Sequence, residues 1–359
     1  MELTVPDKNL VVETALGVND VVFRSVKDDP FDIYGLYQPK APGDFRRLPD
    51  DVAAGTNPGV VELYKHTAGG RVRFATDSPY VALRVKMPGV LKMPHMPLLG
   101  SSGFDLYLDN PASSASRYFN SFMPPMDMQT GYESIIHFGS RKLRYITINF
   151  PTYNPISELY IGLADGASLD HGMAYRDLAP IVYFGSSITQ GGCSSRPGNT
   201  YQAVISRRFN IDHINLGFSG NGRAEGSIVD YMAHLPMCAF VSDYDHNAWD
   251  ADFLWKTHYP LYRAIRDANP GLPYIIISRP DFHADPAAPD RRGAAYDTYR
   301  RAREEGDRRV FWIDGESFFR GEYEDMCTVD TCHPNDLGFA RMASVIGCEL
   351  ERALNGWGM

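Results

Sequence analysis

Two adjacent hydroxyls, Ser186 and Ser187, stand where the apolar run "PIVYFG" gives way to the polar turn "SSITQGG". Three later polar stretches carry groups suited to the same chemistry. "NLGFSGNG" offers glycine backbone amides, "DYDHNA" a carboxamide on Asn247, and "DTCH" a carboxylate and an imidazole three positions apart, Asp330 and His333. A hydroxyl, oriented amides, a carboxamide, a carboxylate and an imidazole are the components of acyl transfer through a covalent serine intermediate. Each also has a plain structural reading. A serine after a strand caps the next helix, clustered glycines satisfy turns at positive φ, Asn247 holds a turn through its own backbone, and His333 beside a proline starts a helix. Their co-occurrence, in order, in successive loops favours the chemical reading.

Those loops need elements to carry them. From about residue 179 the apolar runs "PIVYFG", "HINLGFSG", "CAFVSDYD", "PYIIISRP" and "RRVFWID" alternate with the amphipathic stretches "TYQAVISRRF", "GSIVDYMAHL", "FLWKTHYPLYRAIRDAN", "AAYDTYRRAREEG" and "LGFARMASVIGCELERAL". Five β-α units in series predict an α/β fold, a parallel sheet covered on both faces. In such a sheet ligands bind beyond the carboxyl ends of the strands, where all four polar stretches fall. Before residue 165 the apolar residues alternate instead, as in Val81, Leu83, Val85 and Met87 or Leu159, Ile161 and Leu163, between turn-forming clusters. That pattern predicts an antiparallel β-sandwich with almost no helix. The expected division is a sandwich over 1–165, a linker over 166–178 and a catalytic domain over 179–359.

Composition narrows the function. The chain has 359 residues, 44% of them hydrophobic and 22% charged, as in an ordinary globular protein of two domains. With 35 basic against 44 acidic side chains its formal charge is -9, and no basic cluster is dense enough to follow a phosphate backbone, so nucleic acid is not an expected partner. No apolar segment reaches the length of a membrane span, and "MELTVPDKNL" lacks the layout of a signal peptide, so no membrane partner and a cytoplasmic location are expected. A trimmed secreted chain would look the same. The five cysteines are scattered and include no C-x-x-C pair, which argues against a disulfide framework. Cys327, Cys332 and His333 lack the further ligands of a zinc site, and neither a metal nor another cofactor is expected.

The four blocks resemble those of the SGNH hydrolases, or GDSL esterases. "GSSIT" is similar to their first block, usually G-D-S, with Ser186 in place of the aspartate; the resemblance implies Ser187 as nucleophile. "NLGFSGNG" resembles the second block and implies that the Gly220 amide, with that of Ser187, binds the oxyanion. "DYDHNA" resembles the third, without its leading glycine and trailing aspartate, and implies the Asn247 carboxamide as a further oxyanion donor. "DTCH" matches the D-x-x-H block and implies His333 as general base, oriented by Asp330. The implied fold is the three-layer, flavodoxin-like α/β/α sheet. "GFDLYLD", 103 to 109, further resembles the G-x-D-L-Y signature of a jelly-roll-like sandwich found ahead of some of these enzymes.

The resemblance implies a serine esterase acting on short acyl esters, acetyl above all, of a carbohydrate or similar polyol. Trp249, Arg279 and Asp281, with Phe282 and His283, either line a sugar-sized pocket or form a surface loop around it. The same residues would serve an acyltransferase that passes the acyl group to another alcohol. A catalytically weak carbohydrate-binding protein is a third reading. The aromatic residues Tyr107, Tyr118, Phe119 and Phe122 of the first half are expected to help complete the pocket.

Overall fold

The computed structural model describes residues 16–280 and 285–355. In the first half the strands are β1 (Val21–Ser25), β2 (Asp32–Tyr34), β3 (Arg71–Thr76), β4 (Tyr80–Lys86), β5 (Phe104–Asn110), β6 (Ala115–Phe122), β7 (Gly131–His137), β8 (Arg144–Asn149), β9 (Glu158–Ala164) and β10 (Leu169–His171). They form two antiparallel sheets, ordered β1-β9-β4-β7 and β10-β3-β8-β5-β6, with β2 added beside β3. The alternating residues meet between them: Val81, Leu83, Val85, Ile146, Ile148, Leu159, Ile161 and Leu163 share one buried core. This is the expected sandwich, and β10 lies within the stretch read as a linker.

The second half is a five-stranded parallel sheet of β11 (Ile181–Gly185), β12 (His213–Gly217), β13 (Ala239–Asp243), β14 (Tyr274–Ile277) and β15 (Val310–Ile313), ordered β12-β11-β13-β14-β15. Every residue of β11, β13 and β14 is buried, as strands covered on both faces must be. Short helices precede the sheet in the chain: α1 (Asp50–Ala54), α2 (Pro58–Leu63) and α3 (Leu98–Ser102). Those that follow are α4 (Ser187–Gln190), α5 (Tyr201–Phe209), α6 (Gly226–Ala233), α7 (Ala251–Ala268), α8 (Ala288–Glu304), α9 (Glu316–Phe319) and α10 (Asp336–Asn355). One face of the sheet packs in a core containing Phe184, Ile228, Leu254, Leu261 and Ala295, the other in a core containing Tyr183, Ile205, Phe339 and Ile346. Helices on both sides complete the three layers.

The first half does more than precede this sheet. Leu48, Ala53 and Val60, on or beside α1 and α2, belong to the same core as Val182, Phe184 and Leu216. Helices of five and six residues complete fewer than two turns, too little for a 3.6-residue period to register, which is why alternation alone predicts almost no helix there. Arg47 anchors the segment. Its guanidinium is buried and, among the described residues, has no carboxylate partner, donating instead to the carbonyls of Leu63, His66, Asn215 and Gly217 at 2.7–3.0 Å. It lies 4.5 Å from the centroid of the Phe218 ring.

Candidate active site

The order of the sheet reverses direction between β12 and β13, with β11 between them, which opens a crevice at their carboxyl ends. Three of the polar blocks gather there. β11 ends at Gly185, whose close packing leaves no room for a side chain, since an added Cβ would lie 2.2 Å from the carbonyl oxygen of Asp243. Ser186 then caps α4, its hydroxyl accepting from the Ile188 amide at 3.1 Å. Capping turns the Ser186 side chain into the helix start and leaves Ser187 to face the other way. Ser187 Oγ lies 2.9 Å from His333 Nε2, and His333 Nδ1 lies 2.7 Å from Asp330 Oδ2.

The His333 loop is built to hold that arrangement. The carbonyl of Cys327 accepts from the Asn335 amide and that of His333 from the Val329 amide, both at 3.0 Å, which closes the turn. Thr331 takes the left-handed conformation at φ 66°. The other oxygen of Asp330 accepts from the backbone amides of Cys332 and His333 at 3.1 and 2.7 Å. Partial burial pushes the Asp330 carboxyl up, but those amides and the imidazole outweigh it and hold the group below its ordinary value, as an anion.

The second and third blocks converge on the same edge. Asn247 Oδ1 accepts from the Gly222 amide at 3.2 Å, which fixes the carboxamide plane, and among the described residues nothing accepts from its Nδ2. The 218–222 turn is closed by bonds from the Asn221 and Gly222 amides to the Phe218 carbonyl. Gln190 braces it, accepting from the Ser219 amide at 2.9 Å while donating to the Thr152 carbonyl at 3.1 Å. The Gly220 amide, in a residue at φ +68°, has no described acceptor.

The residues suggested for a substrate pocket fare differently. Trp249 is two-thirds exposed, with its ring against Phe253 and the Arg223 guanidinium 5.3 Å from its centroid. Arg279 is buried, pairs with Asp285, and donates its backbone amide to Asp245 at 2.8 Å, so it holds the loop together from inside. Asp281, Phe282 and His283 lie outside the described residues. Of the aromatic residues in the first half, Phe122 sits in the sandwich core and Phe119 packs on Phe138. Tyr107 and Tyr118 receive Arg196 and Arg207 from the second half, the Arg196 guanidinium lying 3.8 Å from the Tyr118 centroid. That aromatic supply goes to the joint between the two halves rather than to the crevice.

Other residues of the first half reach the Ser187 turn instead. Tyr153 donates its hydroxyl to the Ser187 carbonyl at 3.2 Å, and His66 Nδ1 lies 3.3 Å from Gln190 Nε2. "NFPTYNP" carries no motif, and only its crowding of aromatic, proline and asparagine residues after a strand marks it as a shaped loop.

Comparison with known proteins agrees with this geometry. Residues 179–351 match the GDSL-like lipase/acylhydrolase family, and residues 21–169 match the N-terminal GxDLY region of SGNH-hydrolase-type esterases. No curated protein matches the chain. Among solved structures, a protein assigned as a GDSL-like lipase from Bacteroides ovatus superposes with a TM-score of 0.83 at 23% identity, over 93% of this chain and 98% of its own. A salicylyl-acyltransferase from a tetracycline biosynthetic pathway gives 0.76 at 19% identity, over 95% and 99%. A family two carbohydrate esterase from Clostridium thermocellum, bound to cellohexaose, gives 0.60 at 13% identity, over 81% and 94%. At these identities the superpositions speak for the fold, and the matches over 21–169 and 179–351 speak for the lineage. Residues 179–351 belong to the GDSL-like lipase/acylhydrolase family of carboxylic ester hydrolases, and with residues 21–169 they make the two-part form in which a GxDLY sandwich stands ahead of the SGNH sheet.

Proposed function

We propose that the protein is a serine esterase that removes a short acyl group, acetyl above all, from a carbohydrate or similar polyol. Ser187 is the nucleophile, His333 the general base and Asp330 its orienting anion. The observation that carries this reading is the unbroken relay from Ser187 Oγ through His333 to Asp330, with separations of 2.9 and 2.7 Å. As Ser187 Oγ bonds to the ester carbonyl carbon, its proton passes to His333 Nε2. Asp330 at Nδ1 stabilises the imidazolium. The carbonyl oxygen becomes an oxyanion, held by the amides of Ser187 and Gly220 and by Asn247 Nδ2, each such donor contributing about 3 kcal/mol of transition-state stabilisation. When the tetrahedral intermediate collapses, the alcohol departs with the proton from His333 and the acyl group stays on Ser187. Water, deprotonated by His333, then attacks the acyl-serine and releases the carboxylic acid.

The choice of acetyl and saccharide leans on fold relatives. They include the cellohexaose-bound carbohydrate esterase and an acetyl xylan esterase from Butyrivibrio proteoclasticus, at a TM-score of 0.57. The exposed Trp249 face beside Asn247 offers the kind of surface on which a sugar ring stacks. The acyltransferase reading has its own support in the TM-score of 0.76 to the salicylyl-acyltransferase. Acid released from an acetylated sugar with no added acceptor alcohol identifies a hydrolase, while release only as a new ester identifies a transferase. Turnover on aryl esters is expected to peak at acetate and fall by octanoate. A serine-directed phosphonate should label Ser186→Ala but not Ser187→Ala. The loss in Ser187→Ala should be on the order of a millionfold, whereas Ser186→Ala loses only a cap worth about 1 kcal/mol. Labelling that follows Ser186, or full activity in Ser187→Ala, refutes the assignment.

A further inference from the structure

The loop at 88–97 leaves the sandwich after β4 and passes beside the His333 turn. It is tied down where Leu91 exchanges hydrogen bonds with the Asn154 side chain, at 2.8 and 3.3 Å, and where Met96 packs beside Gly192. Between those ties His95 stands exposed, its ring centroid 5.8 Å from that of His333. Next to Gly192 is Cys193, a buried residue in the left-handed conformation at φ 78°, which is uncommon for a side-chain-bearing residue and calls for a reason. One ligand atom from each of His95, Cys193 and His333 falls within 4.8 Å of the other two.

We infer that these three side chains form a binding site for a zinc-class divalent cation, and that its occupancy switches the esterase off. Two imidazoles and a thiolate are the donors that zinc prefers, and three protein ligands leave a fourth position for water or the Ser187 hydroxyl. In a tetrahedral site with zinc bonds of about 2.0–2.3 Å the donor atoms stand roughly 3.3–3.7 Å apart. Starting from within 4.8 Å, the trio needs to close by no more than about 1.5 Å, to which rotation of the exposed His95 side chain contributes. Asp330 on His333 is already the carboxylate partner that orients a metal-binding imidazole. The inhibition rests on the role proposed above for His333. An ion on Nε2 displaces Ser187 and one on Nδ1 displaces Asp330, and either breaks the relay. The Cys193 thiol gives up its proton to solvent on binding, and no oxidant or reductant is involved.

The test uses the full chain. Cobalt titration should produce a thiolate-to-metal charge-transfer band that saturates at one ion per chain, is lost in Cys193→Ser, and is displaced by zinc. Zinc should abolish ester turnover and EDTA should restore it. His95→Ala, on an exposed loop, should keep its metal-free turnover and need at least about tenfold more zinc for the same inhibition, since even an indirect loss at a metal site costs that much. Ser187→Ala should still give the cobalt band although it is inactive, which separates metal binding from the esterase assignment. The inference is overturned if the band is absent from the wild type or persists in Cys193→Ser, if one saturating ion leaves turnover unchanged, or if zinc inhibits His95→Ala and wild type at the same concentration.

Discussion

Gly222→Ala should disable the enzyme by steric displacement alone, without removing any functional group. An added Cβ at Gly222 would lie 2.3 Å from the Gly185 carbonyl oxygen and 3.0 Å from its carbon. Ordinary contact begins near 3.4 Å, so one side of the contact must retreat by about 1 Å. Neither side has slack. The Gly185 carbonyl ends the strand that aims Ser187 and accepts from the Phe218 amide at 2.9 Å. The Gly222 amide holds Asn247 and closes the turn that carries Gly220. Overpacking of this kind costs about 1–3 kcal/mol of stability. A 1 Å misplacement of catalytic groups costs on the order of a hundredfold in rate, or about 2.7 kcal/mol in the barrier. The assay is kcat/KM on an aryl acetate alongside thermal unfolding. The expected result is a hundredfold loss in kcat/KM in a protein that still folds, carried mainly by kcat. If Gly222→Ala stays within threefold of wild type with unchanged unfolding, the 218–222 turn is not seated against the end of β11 and the proposed oxyanion role of Gly220 and Asn247 is wrong.

Two further outcomes follow from buried charge. Burial raises the Asp243 carboxyl from 3.8 to about 6, against the opposing pull of His246. The folded state therefore holds the proton more tightly than the unfolded chain, so this group's stabilisation is full below pH 4 and is lost as pH rises through 6, by about 3 kcal/mol. Denaturant unfolding at pH 4 and pH 7 should show Asp243→Asn gaining that much relative to wild type across the interval, and equal shifts in both proteins would contradict it. Arg47→Met should destabilise the protein by about 3–5 kcal/mol, because four carbonyls keep their burial and lose a charged donor. A change below about 1 kcal/mol in urea unfolding would mean that water reaches those carbonyls.

How much of this could be read from the chain depends on the length scale of each signal. The five parallel strands were legible because a strand buried on both faces is a continuous apolar run, and β11, β13 and β14 are buried at every position. The blocks around Ser187, Asn247 and Asp330–His333 were legible because a parallel sheet collects its strand-end loops on one edge. Contacts between distant segments left no local trace. Gly222 is constrained by Gly185, 37 positions earlier, and nothing in "SGNG" distinguishes it from Gly220, which has open space around it. Arg47 reads as a surface charge in "GDFRRLPD", and only its seat against the carbonyls of Asn215 and Gly217 makes it internal. His95 sits in "LKMPHMPLLG", a stretch without period, so its approach to His333 depends on the path of the whole loop.

The G-x-D-L-Y stretch shows how a signature with no catalytic residue still bears on the reaction. Asp105 is fully buried on β5, where it accepts from Asn149, from the Gly198 amide and from Arg196, each at 2.8–2.9 Å. Tyr107 meets the same Arg196. The signature thus grips residues 196–198 of the second half. Within two residues of that grip, the Ser195 amide and the Asn199 side chain both donate to Asp336 at 2.8 Å. Asp336 is the first residue of α10, three positions after His333. The sandwich is therefore linked to the start of α10, three positions past His333, through charged hydrogen bonds, the class whose loss is costliest when buried. This coupling ties the two parts to one site: the sheet carries Ser187 and the loops around it, and the sandwich fixes the segment against which the His333 turn is set.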